Sequence, residues 1–182
     1  MTAKKALRAQ LRAARDGFVA AGTPRLAVPA LLRERLVPGA VVASYLPIGS
    51  ETDPAPLVAA ARDAGCVLAL PWVVDRATPI HFVRWDAEAA VEAGPFGLRQ
   101  PAKGEPVAPD VILTPLLGFD SRLNRLGQGA GHYDRAFVAH PRAWRLGLAW
   151  SVQQLPALPA DPWDVPLHAI LTEAALHLPE GH

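Results

Sequence analysis

Between Asn124 and Arg135 the chain reads NRLGQGAGHYDR, with glycines at 127, 129 and 131. A glycine backbone approaches an anion closely and accepts positive φ. Free N–H groups at a helix start, with the positive end of the helix dipole, favour phosphate. Arg125 adds a planar fork suited to phosphate oxygens. Two common nucleotide templates do not fit. The dinucleotide fingerprint has its third glycine one place later, and the Gly-Lys-Ser/Thr of a P-loop is absent. A tight turn would also account for the glycines. Yet Asn124, Arg125, His132, Tyr133, Asp134 and Arg135 crowd the same loop and first helical turn, more hydrogen-bonding groups than a turn requires. The stretch reads as the phosphate cradle of a nucleotide-using enzyme.

Such a cradle needs a strand before it and a helix after it. DVILT, 110–114, reads as a buried strand, 115–131 as a long loop, and a helix follows to about Val138. In open parallel sheets, ligands bind beyond the carboxyl ends of strands, where this loop must lie. Upstream, 40–46 is an apolar run suited to a strand covered on both faces. A polar turn, a helix over about 54–64 and a buried run over 66–70, stopped by Pro71, complete a βαβ unit. Residues 80–85 read as an edge or hairpin strand, 92–109 as surface loop, and 146–150 and 169–172 as further strands. At the N-terminus, Leu7, Leu11, Ala14 and Phe18 make the apolar face of a helix. Lys4, Arg8, Arg12 and Arg15 follow on a neighbouring stripe, the last two read as surface or secondary. A second helix is expected from Pro24 to about Leu36. The expected fold is α/β: one three-layer domain over 1–182, a mostly parallel sheet flanked by helices. It is Rossmann-like without the dinucleotide fingerprint.

Eighteen basic and seventeen acidic residues leave a formal charge of +1 in 182 residues. No long-range field therefore favours nucleic acid or a membrane surface. Cys66 is the sole cysteine, which excludes an intrachain disulfide and a cysteine metal cluster. No apolar stretch approaches the ~20 residues of a membrane span. The N-terminal charges are interleaved rather than set before an apolar segment, unlike a secretory signal. The cytoplasm is the expected compartment.

PLLGFDSRLNRLGQGAGHYDR, 115–135, together with KKALR, YLPIGSETD, FGLRQP and DVPLHAILTE in that order, resembles the 5-formyltetrahydrofolate cyclo-ligase family over about Lys4 to Glu173. The resemblance implies ATP- and Mg²⁺-dependent cyclisation of 5-formyltetrahydrofolate to 5,10-methenyltetrahydrofolate, with phosphorylation of the formyl oxygen. It implies that Lys4, Arg8, Arg125, Leu126, Gly127, Gln128, Gly129, Ala130, Gly131, His132 and Tyr133 bind ATP. Tyr45, Leu46, Glu51, Phe96, Gln128, Gly129, Gly131 and His132 would line the folate site, and Arg125, Gln128 and His132 would act at the reacting centre. Asp134 and Asp164 would hold Mg²⁺, which suits a cation that takes one or two carboxylates plus phosphates.

The match has departures. Gln128 stands where the family often has a basic or aromatic residue, Ala130 where it has Gly or Lys, His132 where Tyr is commoner, and His168 where Asp is commoner. Two other readings stay open. One is a paralogue using the same ATP site on another small N-acyl or amide substrate. The other is a non-catalytic nucleotide- or folate-binding module.

Overall fold

Short β-branched runs with no polar face must be buried on both sides, and the sheet is built from them. The computed structural model describes residues 3–22, 24–87, 89–102, 104–159 and 161–179, apart from the side chains of Ala3 and Phe96. The strands are β1 (Val41–Ala43), β2 (Val67–Trp72), β3 (His81–Arg84), β4 (Val91–Ala93), β5 (Arg99–Pro101), β6 (Val111–Pro115), β7 (Gly118–Phe119), β8 (Arg125–Leu126), β9 (Trp144–Leu148), β10 (Ala169–Leu171) and β11 (Leu176–His177). The helices are α1 (Ala3–Ala21), α2 (Ala30–Arg33), α3 (Ala55–Asp63) and α4 (His132–Ala139).

The main sheet runs β11-β10-β9-β6-β1-β2-β3. Its five inner strands are parallel, and β3 and β11 close the two edges antiparallel. Side chains alternate between the faces. Ala43, Ile112 and Ile170 pack on one side with Ala136 and Phe137 of α4. Val42, Val111, Leu113 and Leu146 pack on the other with Leu57 and Ala61 of α3 and Leu32 of α2. The expected single α/β domain with helices on both faces is what the chain adopts. Burying a side chain such as Leu57 or Phe137 contributes roughly 1.5–3 kcal/mol.

The first helix lies apart from both layers. Leu11 meets the backbone of Gly118, where a Cβ would come within 2.7 Å of Leu11 Cδ1. Phe18 packs against Trp150, ring centroids 5.7 Å apart. Gly118 and Trp150 follow the carboxyl ends of β6 and β9, so α1 crosses that end of the sheet. The loops after β1, β6, β9 and β10 emerge there as well.

Several expectations are corrected. The apolar stripe of α1 includes Leu11 but not Ala14, which is exposed, whereas Arg15 is only 4% exposed. The second helix is the short Ala30–Arg33, because Pro29 supplies an extended residue at its start. Strand β2 continues through Pro71, which faces Phe82 of β3 beyond Ala69, the last residue paired to β1, so its other side is an open edge. Proline is tolerated at such an edge. Within 92–109, β4 and β5 form a hairpin around a 3-10 turn at Pro95–Gly97. Likewise β7 and β8 make a hairpin inside the loop expected over 115–131.

Candidate active site

The glycine loop hangs from an aspartate. Asp120 is 2% exposed, and its carboxylate accepts from the N–H groups of Arg122, Asn124 and Leu158 and from Asn124 Nδ2, at 3.0–3.1 Å. A short polar side chain that captures the backbone two residues on makes a turn. This one forces the tip of the β7–β8 hairpin, with Leu123 at φ 60°. Leu126 is buried, and the chain then opens into residues 127–131. Gly129 has φ 102° and Gly131, the residue capping α4, has φ 65°. Among the described residues, the N–H groups of 128–131 donate to no protein acceptor. Four unused donors at a helix start are what an anion requires.

Cations from α1 surround the loop. Arg8 Nε donates to Gly127 O at 2.9 Å, and its guanidinium would lie 3.2 Å from a Cβ on Gly129. Arg12 Nη2 donates to Gln128 Oε1 at 2.8 Å. Lys4 Nζ lies 2.6 Å from Asp161 Oδ2 and 3.6 Å from Asp164 Oδ2, and the Asp161 bond is the main cause raising its pKa above the ordinary lysine value. Arg125 faces inward. Its Nη2 is 2.6 Å from Asp134 Oδ1, its side chain is 6% exposed, and its guanidinium lies 5.0 Å from the centre of the Phe137 ring. Val165 N donates to the same Asp134 oxygen at 3.4 Å, which brings the Asp164 segment beside α4.

On the opposite flank stands a carboxylate. Glu51 Oε2 accepts from Ile48 N at 3.1 Å, and Gln128 Nε2 reaches Glu51 Oε1 at 3.4 Å. Burial pushes the Glu51 carboxyl above its usual range, against the pull of that backbone bond and of Arg15. Tyr45 is buried, its hydroxyl donates to Thr52 O at 2.5 Å, and burial raises its pKa well above the phenol value. Leu46 is half-buried beside it. Phe96 falls in the 3-10 turn between β4 and β5, and its side chain lies outside the described residues. Ala130 O accepts from Arg135 Nη1 at 3.1 Å, and Arg135 Nη2 approaches His132 Nδ1 at 3.1 Å. Burial first, then Arg135 and Arg76, lower the His132 pKa. Tyr133 is held firmly as a phenol by burial.

The site thus has a cationic, donor-rich side and a carboxylate acceptor side, with residues 127–131 between them. A model of the 5-formyltetrahydrofolate cyclo-ligase family matches residues 1–173. The chain belongs to that family. Proteins named 5-formyltetrahydrofolate cyclo-ligase are similar to it in Escherichia coli (31% identity over 139 residues, 72% of this chain and 76% of that protein) and Mycolicibacterium smegmatis (32% over 145 residues, 75% of each). The alignment to the Haemophilus influenzae protein of that name has 37% identity but spans only 52% of its length. The solved structure of a 5,10-methenyltetrahydrofolate synthetase from Aquifex aeolicus superposes with a TM-score of 0.76 at 27% identity, over 100% of this chain and 95% of that one.

Two of the cyclo-ligase-like features bear on a metal. No cluster of three or more His, Cys, Asp or Glu residues stands ready among the described residues. Asp134 and Asp164 nevertheless offer hard oxygen donors on adjoining segments, each with one oxygen that, among the described residues, takes none of the bonds to Arg125, Lys4 and the backbone. Such a pair fits Mg²⁺, which completes its shell with phosphate and water. Sequence reasoning missed Asp120, Asp161 and Arg15. The first had a signal, an aspartate followed by a short polar stretch after an apolar strand. Arg15 had one too, since Leu11, Arg15 and Phe18 share the i, i+4, i+7 face. Asp161 had none, because its partner Lys4 is 157 residues away.

Proposed function

We propose that this chain cyclises 5-formyltetrahydrofolate to 5,10-methenyltetrahydrofolate at the expense of ATP. The observation that carries this reading is the convergence on residues 127–131 of Arg8 and Arg12 from one side and Glu51 from the other. The triphosphate lies along the unused N–H groups of 128–131, with Lys4 and Arg8 as its cations. Glu51 accepts hydrogen bonds from the amino and ring N–H groups of the pterin, against Tyr45 and Leu46, and the family resemblance assigns Phe96 to the same site. The formyl oxygen then faces the γ-phosphate. Its attack expels ADP and leaves a phosphorylated iminium, N10 adds to that carbon to close the ring, and phosphate departs with the original formyl oxygen. Phosphorylation converts a poor leaving oxygen into a good one. The protein's share is positioning and charge stabilisation rather than covalent chemistry.

Mg²⁺ held by Asp134 and Asp164 would neutralise phosphate charge as it develops. The Gln128 departure is offset by Arg12, whose guanidinium sits on the Gln128 amide. Charge at the loop tip therefore comes from α1, and this counts against a merely binding module. His132 and Gln128, at the loop's two ends, face the reacting centre. The cytoplasm is its proposed compartment, consistent with a lone cysteine that is free.

The test mixes purified protein with ATP, Mg²⁺ and 5-formyltetrahydrofolate and follows the absorbance of the methenyl product. A rise dependent on all three is expected. A folded protein giving none at any pH would overturn the reading. Binding of ATP without folate would redirect it to another substrate.

A further inference from the structure

Arg15 is the one arginine on α1 that the interior swallows. Its Nε donates to Ser50 Oγ at 2.9 Å, and Ser50 in turn donates to Asp16. Trp150 Nε1 donates to Ser50 O at 3.0 Å, so the segment holding Arg15 is itself pinned. Arg15 Nη1 points at Glu51 Oε1 across 3.8 Å, with the two side chains 5% and 9% exposed. That nitrogen is buried and, among the described residues, has no hydrogen-bond partner. A guanidinium is not taken out of water without compensation, and one whose free donor faces a buried carboxylate is paired with it by charge. At 3.8 Å the pair attracts without Arg15 occupying an oxygen lone pair. Glu51 spends its bonds on Ile48 N and a long contact from Gln128, whose side chain is exposed. A carboxylate has about four lone-pair sites, so acceptor capacity remains for a ligand once Gln128 turns aside.

We infer that Arg15 is a positioning residue of this site, holding Glu51 as an ionised acceptor aimed at the N–H edge of the substrate. The inference rests on the reading of Glu51 as the pterin-binding carboxylate. Without Arg15, burial would favour the protonated acid, which donates where the pterin edge also donates. Other groups around Glu51 do not replace Arg15. On α1, Arg12 is engaged with Gln128 and Asp16 is an acid. After β1, Tyr45 is a buried neutral phenol and Asp53 is an acid, and on α4 Tyr133 is a half-buried neutral phenol. Arg15 is the cation that lowers the Glu51 pKa.

Folate binding needs Glu51 charged, so binding weakens as pH falls through the Glu51 pKa. Removing Arg15 moves that weakening to higher pH. The experiment measures KM for 5-formyltetrahydrofolate and for ATP against pH in the wild type, Arg15→Gln, Arg15→Lys and Glu51→Gln. Arg15→Gln should raise the folate KM about tenfold near neutrality. It should also carry the acid limb upward, with the ATP KM within about twofold of wild type. Arg15→Lys should restore the limb. If Arg15→Gln fails to fold, Arg15→Met, of similar length, takes its place. A raised folate KM in Glu51→Gln with an unmoved limb in the Arg15 variants overturns the inference alone. An unchanged folate KM in Glu51→Gln overturns the Glu51 reading itself.

Discussion

Asp134 shows how a side chain proposed for a metal can be tied to a second task. A carboxylate serving only a metal would be dispensable for folding. Asp134 also takes the charge of Arg125, whose side chain is 6% exposed and packed over Phe137. Removing the acid leaves a cation buried without its partner, which is costlier than losing a surface pair. Asp134→Asn keeps the shape and removes the charge. It should reduce stability by about 1–3 kcal/mol in urea unfolding and turnover by roughly a hundredfold or more. Unchanged stability would mean that Arg125 is neutralised elsewhere. Turnover kept at saturating Mg²⁺ would remove Asp134 from the metal site. The residue scale was the most legible in the sequence for groups that sit together in one segment, such as Arg125, Tyr133 and Asp134. It was opaque for Asp161, since nothing local foretells a partner at the far end of the chain.

The glycine loop acts as an element only because something fixes both its ends. Asp120 supplies one end and the left-handed Gly131 the other. The sequence announced the loop, and it also announced the strand before it and the helix after it. It did not announce the β7–β8 hairpin, whose two-residue strands are too short for any periodicity to register. At the same scale, the helix at the N-terminus was readable but not its inner face, because charge patterning put Arg15 with the surface arginines. Gly129 isolates what the loop conformation contributes. Its φ of 102° suits glycine, and a Cβ would meet the Arg8 guanidinium at 3.2 Å. Gly129→Ala should cost about 1–2 kcal/mol of local strain and shift both loop and Arg8. The expected result is a folded enzyme with ATP KM raised about tenfold or more and a melting temperature lowered by only a few degrees. An unaltered ATP KM would mean that the phosphates do not run along this loop.

At the scale of the whole molecule, the parallel sheet was legible because its inner strands are continuous apolar runs, and β3 was legible as an edge or hairpin strand over 80–85, whereas the two-residue edge strand β11 and the β4–β5 hairpin were not. The same burial that made the core readable sets how stability responds to pH. His132, His140, His168 and His177 all have pKa values lowered from the ordinary 6.5, burial being the first cause in each. Each is therefore neutral in the fold at a pH where the unfolded chain already binds a proton. Between the depressed folded pKa and 6.5 the unfolded state holds more protons, so stability is full above 6.5 and is lost as pH falls below it. Each histidine contributes a slope of at most ~1.4 kcal/mol per pH unit within its own window. Glu51 acts oppositely, because its folded pKa lies above the ordinary 4.5 and favours the fold as pH drops through that range. Four groups against one should leave a net decline. Melting temperature should therefore hold level above about pH 7 and fall steadily below about 6.5. His168 offers the dissection, since its Nδ1 accepts from Arg145 N at 2.9 Å and a proton there would break that bond. His168→Asn, which keeps a short acceptor and cannot titrate, should flatten part of the decline. A melting curve insensitive to pH between 5 and 7 in the wild type would show that these histidines keep ordinary pKa values in the fold.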